Sequence, residues 1–175
     1  MQTYIALLRG INVGGNHIVK MAELKILCAQ LGFENIRTYI QSGNVIFDSN
    51  LTDKAEFANQ LGLVIEQKYG FLPKIFILEK AQLLAVLAKQ SLSFDDEKYV
   101  YLYFLQQPAK LAKLADIEAL MAIGDEYKLT DDVFYLHCPN GIGKSKLLDK
   151  LEILLGVKTT TRNLRSVKKI IGLLG

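Results

Sequence analysis

Short apolar runs of strand length and longer apolar stripes of helical period follow one another in a fixed succession along this chain, and the succession occurs twice. The first pass predicts strands at residues 3–9, 36–41, 44–48 and 74–78, with helices at 21–31 and 53–69. A tight turn at Ser42-Gly43 joins the second and third strands, glycine supplying the positive φ that a hairpin turn needs. This β-α-β-β-α-β order is the ferredoxin-like unit, an antiparallel sheet of strand order 4-1-3-2 with both helices on one face. The first and third strands are then central, and they hold the continuous apolar runs, residues 5–8 and 45–47. The edges are more polar or, as at Pro73, open with a residue that cannot donate to a ladder.

After a helix at 81–89 and an acidic loop Asp95-Asp96-Glu97, the succession resumes. A strand at 99–106, a helix at 109–121, a hairpin of strands 126–129 and 133–137, and a helix at 146–155 are predicted. Residues 157–161 are left as the fourth strand, and a closing helix carries the stripe Leu164, Val167, Ile171, Leu174. The fold class is therefore α+β: two tandem ferredoxin-like units, each a two-layer sandwich with an antiparallel sheet, the second altered at its C-terminal end. Expected boundaries are 1–79 for the first subdomain, 80–98 for the connecting helix and acidic loop, and 99–175 for the second.

At 175 residues, half of them hydrophobic, the chain has the apolar content for one sizeable core or two small ones. No stretch is long and charge-free enough for a membrane span, and the run at 5–8, closed by Arg9, is too short for a signal peptide. A cytoplasmic protein without a membrane partner is expected. Two cysteines cannot build a disulfide framework, and Cys28 falls on the helical stripe Met21, Leu24, Cys28, Leu31, as a buried thiol would. The two histidines, His17 and His137, lie far apart with no ligand cluster around them, so no metal site and no cofactor are expected.

Charge is unevenly spread. Between residues 144 and 169 eight basic residues meet two acidic ones, a local +6 in a chain of net +3. Gly141, Gly143, Lys144 and Ser145 open this stretch and resemble the end of a phosphate-binding P-loop, G-x-x-x-x-G-K-[ST]. The first glycine of that motif would stand at position 138, where Cys138 is found, and Pro139 removes a backbone donor. Nucleotide hydrolysis there is not expected; a weaker anion site at the start of a helix is the reading that survives, joined by Arg162, Arg165 and Lys169 at helical spacing.

Topology gathers a second set of residues. In a 4-1-3-2 sheet the first strand ends beside the start of the third, and the second strand ends there too. Arg9, Asn12, Gly14, Gly15, Asn16, Gln41, Ser42 and Asn44 should therefore converge. They are rich in donors and carry a cation, but include no carboxylate, cysteine or general base, so they suit binding more than catalysis. A third surface is suggested by Tyr99, Tyr101 and Tyr103, which alternate with Val100, Leu102 and Phe104. If helices cover the Leu and Phe face, the tyrosines are left to stack bases, as on RNA-recognition sheets, or to pack on another surface.

The segments Leu7-Leu8-Arg9-Gly10-Ile11-Asn12-Val13-Gly14-Gly15, Tyr39-Ile40-Gln41-Ser42-Gly43-Asn44-Val45, Gly141-Ile142-Gly143-Lys144-Ser145-Lys146 and Thr161-Arg162-Asn163 resemble, in that order, the signature segments of a bacterial family, domain of unknown function 1697. The resemblance runs from the first strand to the last helix and implies two ferredoxin-like subdomains with no assigned activity. It also implies that arginine is common where Lys144 stands, a change that keeps charge but loses a bidentate fork. The expected function is a non-enzymatic binding module for a phosphate-bearing ligand, a nucleotide or a nucleic acid. An enzyme acting on a small anionic substrate, or a dimerisation module, are the alternatives.

Overall fold

The structure, a computed structural model, describes residues 1–110 and 112–175, with the backbone alone for Lys144. Two compact units emerge: Met1–Ala85 together with Lys169–Gly175, and Val86–Lys168. The last seven residues thus belong to the first unit rather than to the second, a return that a linear reading does not contain. Arg37 donates to the carbonyl of Leu173, and Lys80 Nζ donates to that of Gly175 at 2.7 Å.

In the first unit, β1 (Gln2–Arg9), α1 (Met21–Gln30), β2 (Glu34–Tyr39), β3 (Asn44–Ser49), α2 (Lys54–Tyr69) and β4 (Lys74–Glu79) build a sheet of order β2-β3-β1-β4, antiparallel throughout. The helices form where local chemistry favours them. Asp53 caps α2 by accepting from the N–H groups of Ala55 and Glu56, and Gly70, at φ 76°, ends it. α1 lacks a side-chain cap at its start but closes in a Schellman turn, Gly32 donating to Ala29 and Phe33 to Cys28. Both lay their apolar stripes, Leu24, Leu27, Cys28 and Phe57, Leu61, Ile65, on Tyr4, Ala6, Leu8, Val45 and Phe47 of the central strands. Phe33, Phe47, Phe57 and Tyr4 interlock as stacked and edge-on rings. A register shift between Glu34 and Arg37 bends β2, where Asn35 at φ 48° donates to Asp48 at 2.8 Å.

α3 (Lys80–Lys89) runs from the first unit into the second. The second unit continues with β5 (Val100–Leu105), α4 (Leu114–Glu118), β6 (Glu126–Leu129), β7 (Val133–His137), α5 (Leu151–Leu155) and β8 (Thr159–Asn163), and α6 (Leu164–Gly172) closes the chain. Its sheet, β6-β7-β5-β8, repeats the strand order of the first. The fourth strand lies slightly later than expected and pairs with β5 from Thr159↔Leu105 to Asn163↔Tyr101.

Two helices are much shorter than their stripes suggest. Residues 109–113 offer no Ser, Thr, Asp or Asn cap, and the N–H of Lys113 is spent on the carbonyl of Leu154; Leu111, which fell inside the expected helix, is outside the described residues. Before α5, Ser145 Oγ accepts from the N–H of Leu147 and residues 146–150 form turns. Lysines 146 and 150 would also sit unfavourably at a helix N-terminus.

The tyrosine face, whose use the sequence left open, packs inward. Tyr101 pairs with Leu136 and Tyr103 with Phe134, so these tyrosines share their side of the sheet with the bulky apolar residues of β7. That side, not the Leu102 and Phe104 side, packs on Ile117 of α4 and Leu151, Leu154 and Leu155 of α5. Tyr103 is buried there, and Tyr99 belongs to a 3-10 turn ahead of the strand. On the opposite side Tyr135 is fully buried and donates to the carbonyl of Val86 at 2.7 Å. No base-stacking tyrosine platform is left.

Candidate functional site

At one end of the first sheet, β1 delivers Arg9 opposite Lys74 of β4, while Leu7 lies opposite Asn44 at the start of β3. The chain then enters the glycine loop. Asn12, at φ 55°, closes the loop's neck: its Nδ2 donates to the carbonyls of Val19 at 3.0 Å and Gln41 at 2.7 Å, and its Oδ1 accepts from the N–H of Val19 at 2.8 Å. One side chain therefore holds the loop to itself and to the β2–β3 turn. Asn44 does the same for the turn, donating to Tyr39 O at 3.0 Å and to Ser42 Oγ at 2.9 Å while fully buried. Gly43, at φ 75°, passes so close to the loop that a Cβ there would stand 2.7 Å from Ile11 Cδ1 and 2.8 Å from Leu8 Cβ. Its carbonyl accepts from the N–H of Leu8 at 2.8 Å.

Of the residues that the topology was expected to gather, Asn12 bonds to Gln41 and Asn44 to Ser42, while Arg9 ends β1 and Gly14, Gly15 and Asn16 lie in the loop that follows it. Asn12, Ser42 and Asn44 are committed to holding the two loops together. Gly14 and Gly15, both exposed at positive φ, form the tip; among the described residues no backbone hydrogen bond engages their N–H groups. Asn16 and Gln41 are exposed beside them, and Arg9 is half-buried.

Several neighbours were not anticipated. His17, at φ 50°, directs Nδ1 to the carbonyl of Gly10 at 3.0 Å and stacks on Phe71, centroids 4.1 Å apart and planes 21° from parallel. Glu23, in the first turn of α1, accepts from Tyr69 at 2.7 Å and pairs with Lys68 at 3.1 Å and Lys20 at 3.7 Å. The Tyr69 bond, and then Lys68, hold the Glu23 carboxyl below the usual carboxylate range. Burial, reinforced by Glu23, pushes the Tyr69 hydroxyl up to about 12. Lys74 was legible, because antiparallel pairing of β4 with β1 puts it opposite Arg9; His17 was weighed only as a metal ligand.

The backbone is strained at this end. Among the described residues positive φ outside glycine occurs at Asn12, His17, Asn35 and Ile40, and three of these four flank the loop and the turn. A non-glycine residue in that region costs about 1–2 kcal/mol, most clearly for a β-branched residue such as Ile40, and strain of this kind clusters where a backbone shape is needed for function.

The second predicted anion site is not assembled in the way its sequence suggests. Ile142–Lys144 form a 3-10 turn, α5 starts only at Leu151, and the N–H groups of Gly141 and Ser145 are spent on the carbonyls of Cys138 and Ile142. The Lys144 side chain lies outside the described residues. Arg162 stands on β8, not on the final helix; it is 7% exposed and donates to Thr160 Oγ1 and the carbonyl of Thr161. Burial lowers its guanidinium to about 10. Arg165 pairs with Asp96 at 3.1 Å and Lys168 with Glu97, so the acidic loop offsets much of the basic helix; Lys169 is exposed. The helix buries Leu164, Val167 and Ile170, with Ile171 only half-buried, and Leu174 is buried just beyond its end. Among the described residues there is no cluster of metal-ligating side chains, and no helix is long and apolar enough to cross a membrane.

Two antiparallel sheets of order 2-3-1-4, each with the two helices that connect its strands on one face, define an α+β protein of two ferredoxin-like units. The chain belongs to the family of proteins of unknown function DUF1697, whose model matches residues 1–135. It is similar in structure to the conserved bacterial protein SP0830 from Streptococcus pneumoniae, with a TM-score of 0.75 and 26% sequence identity over 99% of both chains. No curated protein matches it.

Proposed function

We propose that this chain is a non-enzymatic binding module for a phosphate-bearing ligand, a nucleotide or a nucleic acid, which it holds at the loop end of the first sheet. The observation that carries the reading is the pairing of Arg9 with Lys74 at the end of the β1–β4 ladder, where the chain enters a glycine-rich loop whose neck Asn12 fixes. Backbone N–H groups in a left-handed, glycine-rich turn form a concave set of donors for an anion, and the two cations supply charge. Lys20 and Lys68 add positive potential, partly offset by Glu23. Glu23, the carboxylate nearest the loop, is engaged by Tyr69, Lys68 and Lys20, which favours binding over catalysis.

The test is a titration of a fluorescent oligonucleotide and of inorganic pyrophosphate at several salt concentrations. Affinity should fall as salt rises, and Arg9→Ala with Lys74→Ala should weaken binding of both ligands at least tenfold and flatten the salt dependence. Arg165→Ala with Lys169→Ala, on the helix whose charge is offset by Asp96 and Glu97, should change it less than about twofold. Binding that survives loss of Arg9 and Lys74, or that disappears with the helix variant, contradicts the assignment.

A further inference from the structure

α6 begins in the second unit, but its last turn and the three residues after it, 169–175, belong to the first. Two cations hold this segment. Arg37 Nη1 donates to the carbonyl of Leu173, and Lys80 Nζ donates to that of Gly175 at 2.7 Å, while Ile170 and Leu174 are buried. Register fixes where it lies. Arg37 pairs with Ile46, Ile46 with Ile5 and Ile5 with Leu78, so these four stand in one row across the sheet. Ile46 alternates with Val45 and Phe47, which face the helices, so the row is on the side away from α1 and α2. Arg37 belongs to the edge strand β2, and Lys80 directly follows the other edge strand, β4. The two holding side chains thus come from opposite edges of the sheet.

The docked arrangement leaves one group unsatisfied. Among the described residues, Arg37 Nε is buried without a hydrogen-bond partner, and a buried donor left unpaired weakens the state that contains it. A stronger acceptor stands close by. Asp48 is two residues along β3 from Ile46 and on the same side, which makes it the diagonal neighbour of Arg37, within reach of a long side chain. Its carboxylate accepts from Thr3 Oγ1 at 2.7 Å and from Asn35 Nδ2 at 2.8 Å, and two oxygens have lone pairs beyond these for a guanidinium. Burial of the Asp48 carboxyl is outweighed by the Thr3 and Asn35 bonds and by the charge of Arg37, which hold it below the usual carboxylate range. Each holding residue also lines a cleft: Arg37, with Asn35 and Asp48, one of about 500 Å³, and Lys80, with Thr3, one of about 370 Å³. The Thr3–Asp48 bond links the walls of the two.

We propose that residues 169–175 are a detachable strap with two states set by Arg37. Docked, the strap is held by Arg37 and Lys80 on the side of the first sheet that α1 and α2 leave open. Released, the guanidinium turns from the Leu173 carbonyl to Asp48, and the two clefts join as one groove. The exchange breaks no strand pairing and moves one cation between two acceptors, so it is a local opening of a folded chain.

The experiment follows amide exchange in the full chain. The N–H groups of Leu173 and Leu174, bonded to the carbonyls of Ile170 and Ile171, report the strap, and the amides of the β1–β3 ladder report the unit. In the wild type the strap amides should exchange by an opening almost independent of urea, whereas the ladder amides should follow the full slope of unfolding. Asp48→Asn removes the competing charge and should slow exchange at Leu173 and Leu174 by about two- to fivefold, even if the ladder exchanges faster for loss of the carboxylate. Lys80→Ala, which removes a bond made only in the docked state, should speed it by a similar factor and leave the ladder unchanged. Strap amides that share the ladder's urea slope would show that the segment opens only when the unit unfolds, and overturn the proposal without any variant. Exchange at Leu173 and Leu174 that is unchanged or faster in Asp48→Asn overturns the role of Arg37 as the switch.

Discussion

Gly43→Ala tests the claim that the glycine loop and the β2–β3 turn are one packed object. Two costs add at this position. The backbone is at φ 75°, a region that costs an L-residue about 1–2 kcal/mol. The new methyl would also stand 2.7 Å from Ile11 Cδ1, 2.8 Å from Leu8 Cβ and 3.0 Å from Ile11 Cγ1, closer than side-chain carbons approach. Leu8 Cβ belongs to a central strand and cannot swing away, and overpacking of this kind costs about 1–3 kcal/mol. The expected destabilisation is about 2–5 kcal/mol. Gly15→Ala is the internal control, since it has the same backbone region, φ 79°, with nothing within 4 Å of its Cβ; it should cost only the backbone share. Urea unfolding followed by amide signals of β1 and β3 measures the first unit directly. At a slope of about 2 kcal/mol/M, Gly43→Ala should lower the midpoint by about 1–2.5 M and Gly15→Ala by about half that or less. Equal midpoints for the two variants would mean that the turn does not press on the loop.

Ile40 is β-branched, 48% exposed and at φ 50°, so Ile40→Gly should relieve strain with little loss of packing and raise stability by about 1 kcal/mol in the same assay. Burial pushes both thiols, Cys28 and Cys138, up to about 12, with Asp125 adding to the shift at Cys138; a thiol reagent at about pH 8 should modify neither until the chain is unfolded. The Tyr69 hydroxyl keeps its proton up to about 12 in the folded chain, against about 10 when unfolded. The stability this contributes is complete below pH about 10 and is lost as pH rises from there towards 12, so Tyr69→Phe should lose less stability than the wild type across that interval.

Apart from β2, expected at 36–41 and found at Glu34–Tyr39, and the return of the last seven residues, the elements of the first unit fall within a residue of expectation and those of the second less so, for a physical reason. Asp53 at the start of α2 and Gly32 and Gly70 after the two helices are local signals, and the structure uses them as caps. Residues 109–113 carry helical apolar spacing without a capping residue, and before α5 the Ser145 hydroxyl holds a turn, with Lys146 and Lys150 disfavouring an earlier helix start. The tyrosine face stayed open because alternation fixes which residues of β5 share a side, but only the register with β7 says which side the helices take. Arg162 was placed on a helix by counting from Arg165, whereas the β-branched run Thr159, Thr160, Thr161 continues as strand through it. That Arg9, Asn12, Gln41 and Asn44 lie at one end of the sheet followed from strand order; which side chains hold the two loops together required the hydrogen bonds themselves.

The loop end of the first sheet is tested most directly by recording amide spectra of the full chain during a titration with inorganic pyrophosphate at low salt. The account predicts saturable shifts at Gly10, Asn12, Gly14, Gly15, Gln41 and Lys74 that vanish together in Arg9→Ala with Lys74→Ala. Shifts confined to Gly141–Ser145 and α6, or a spectrum unchanged at millimolar pyrophosphate, would contradict it.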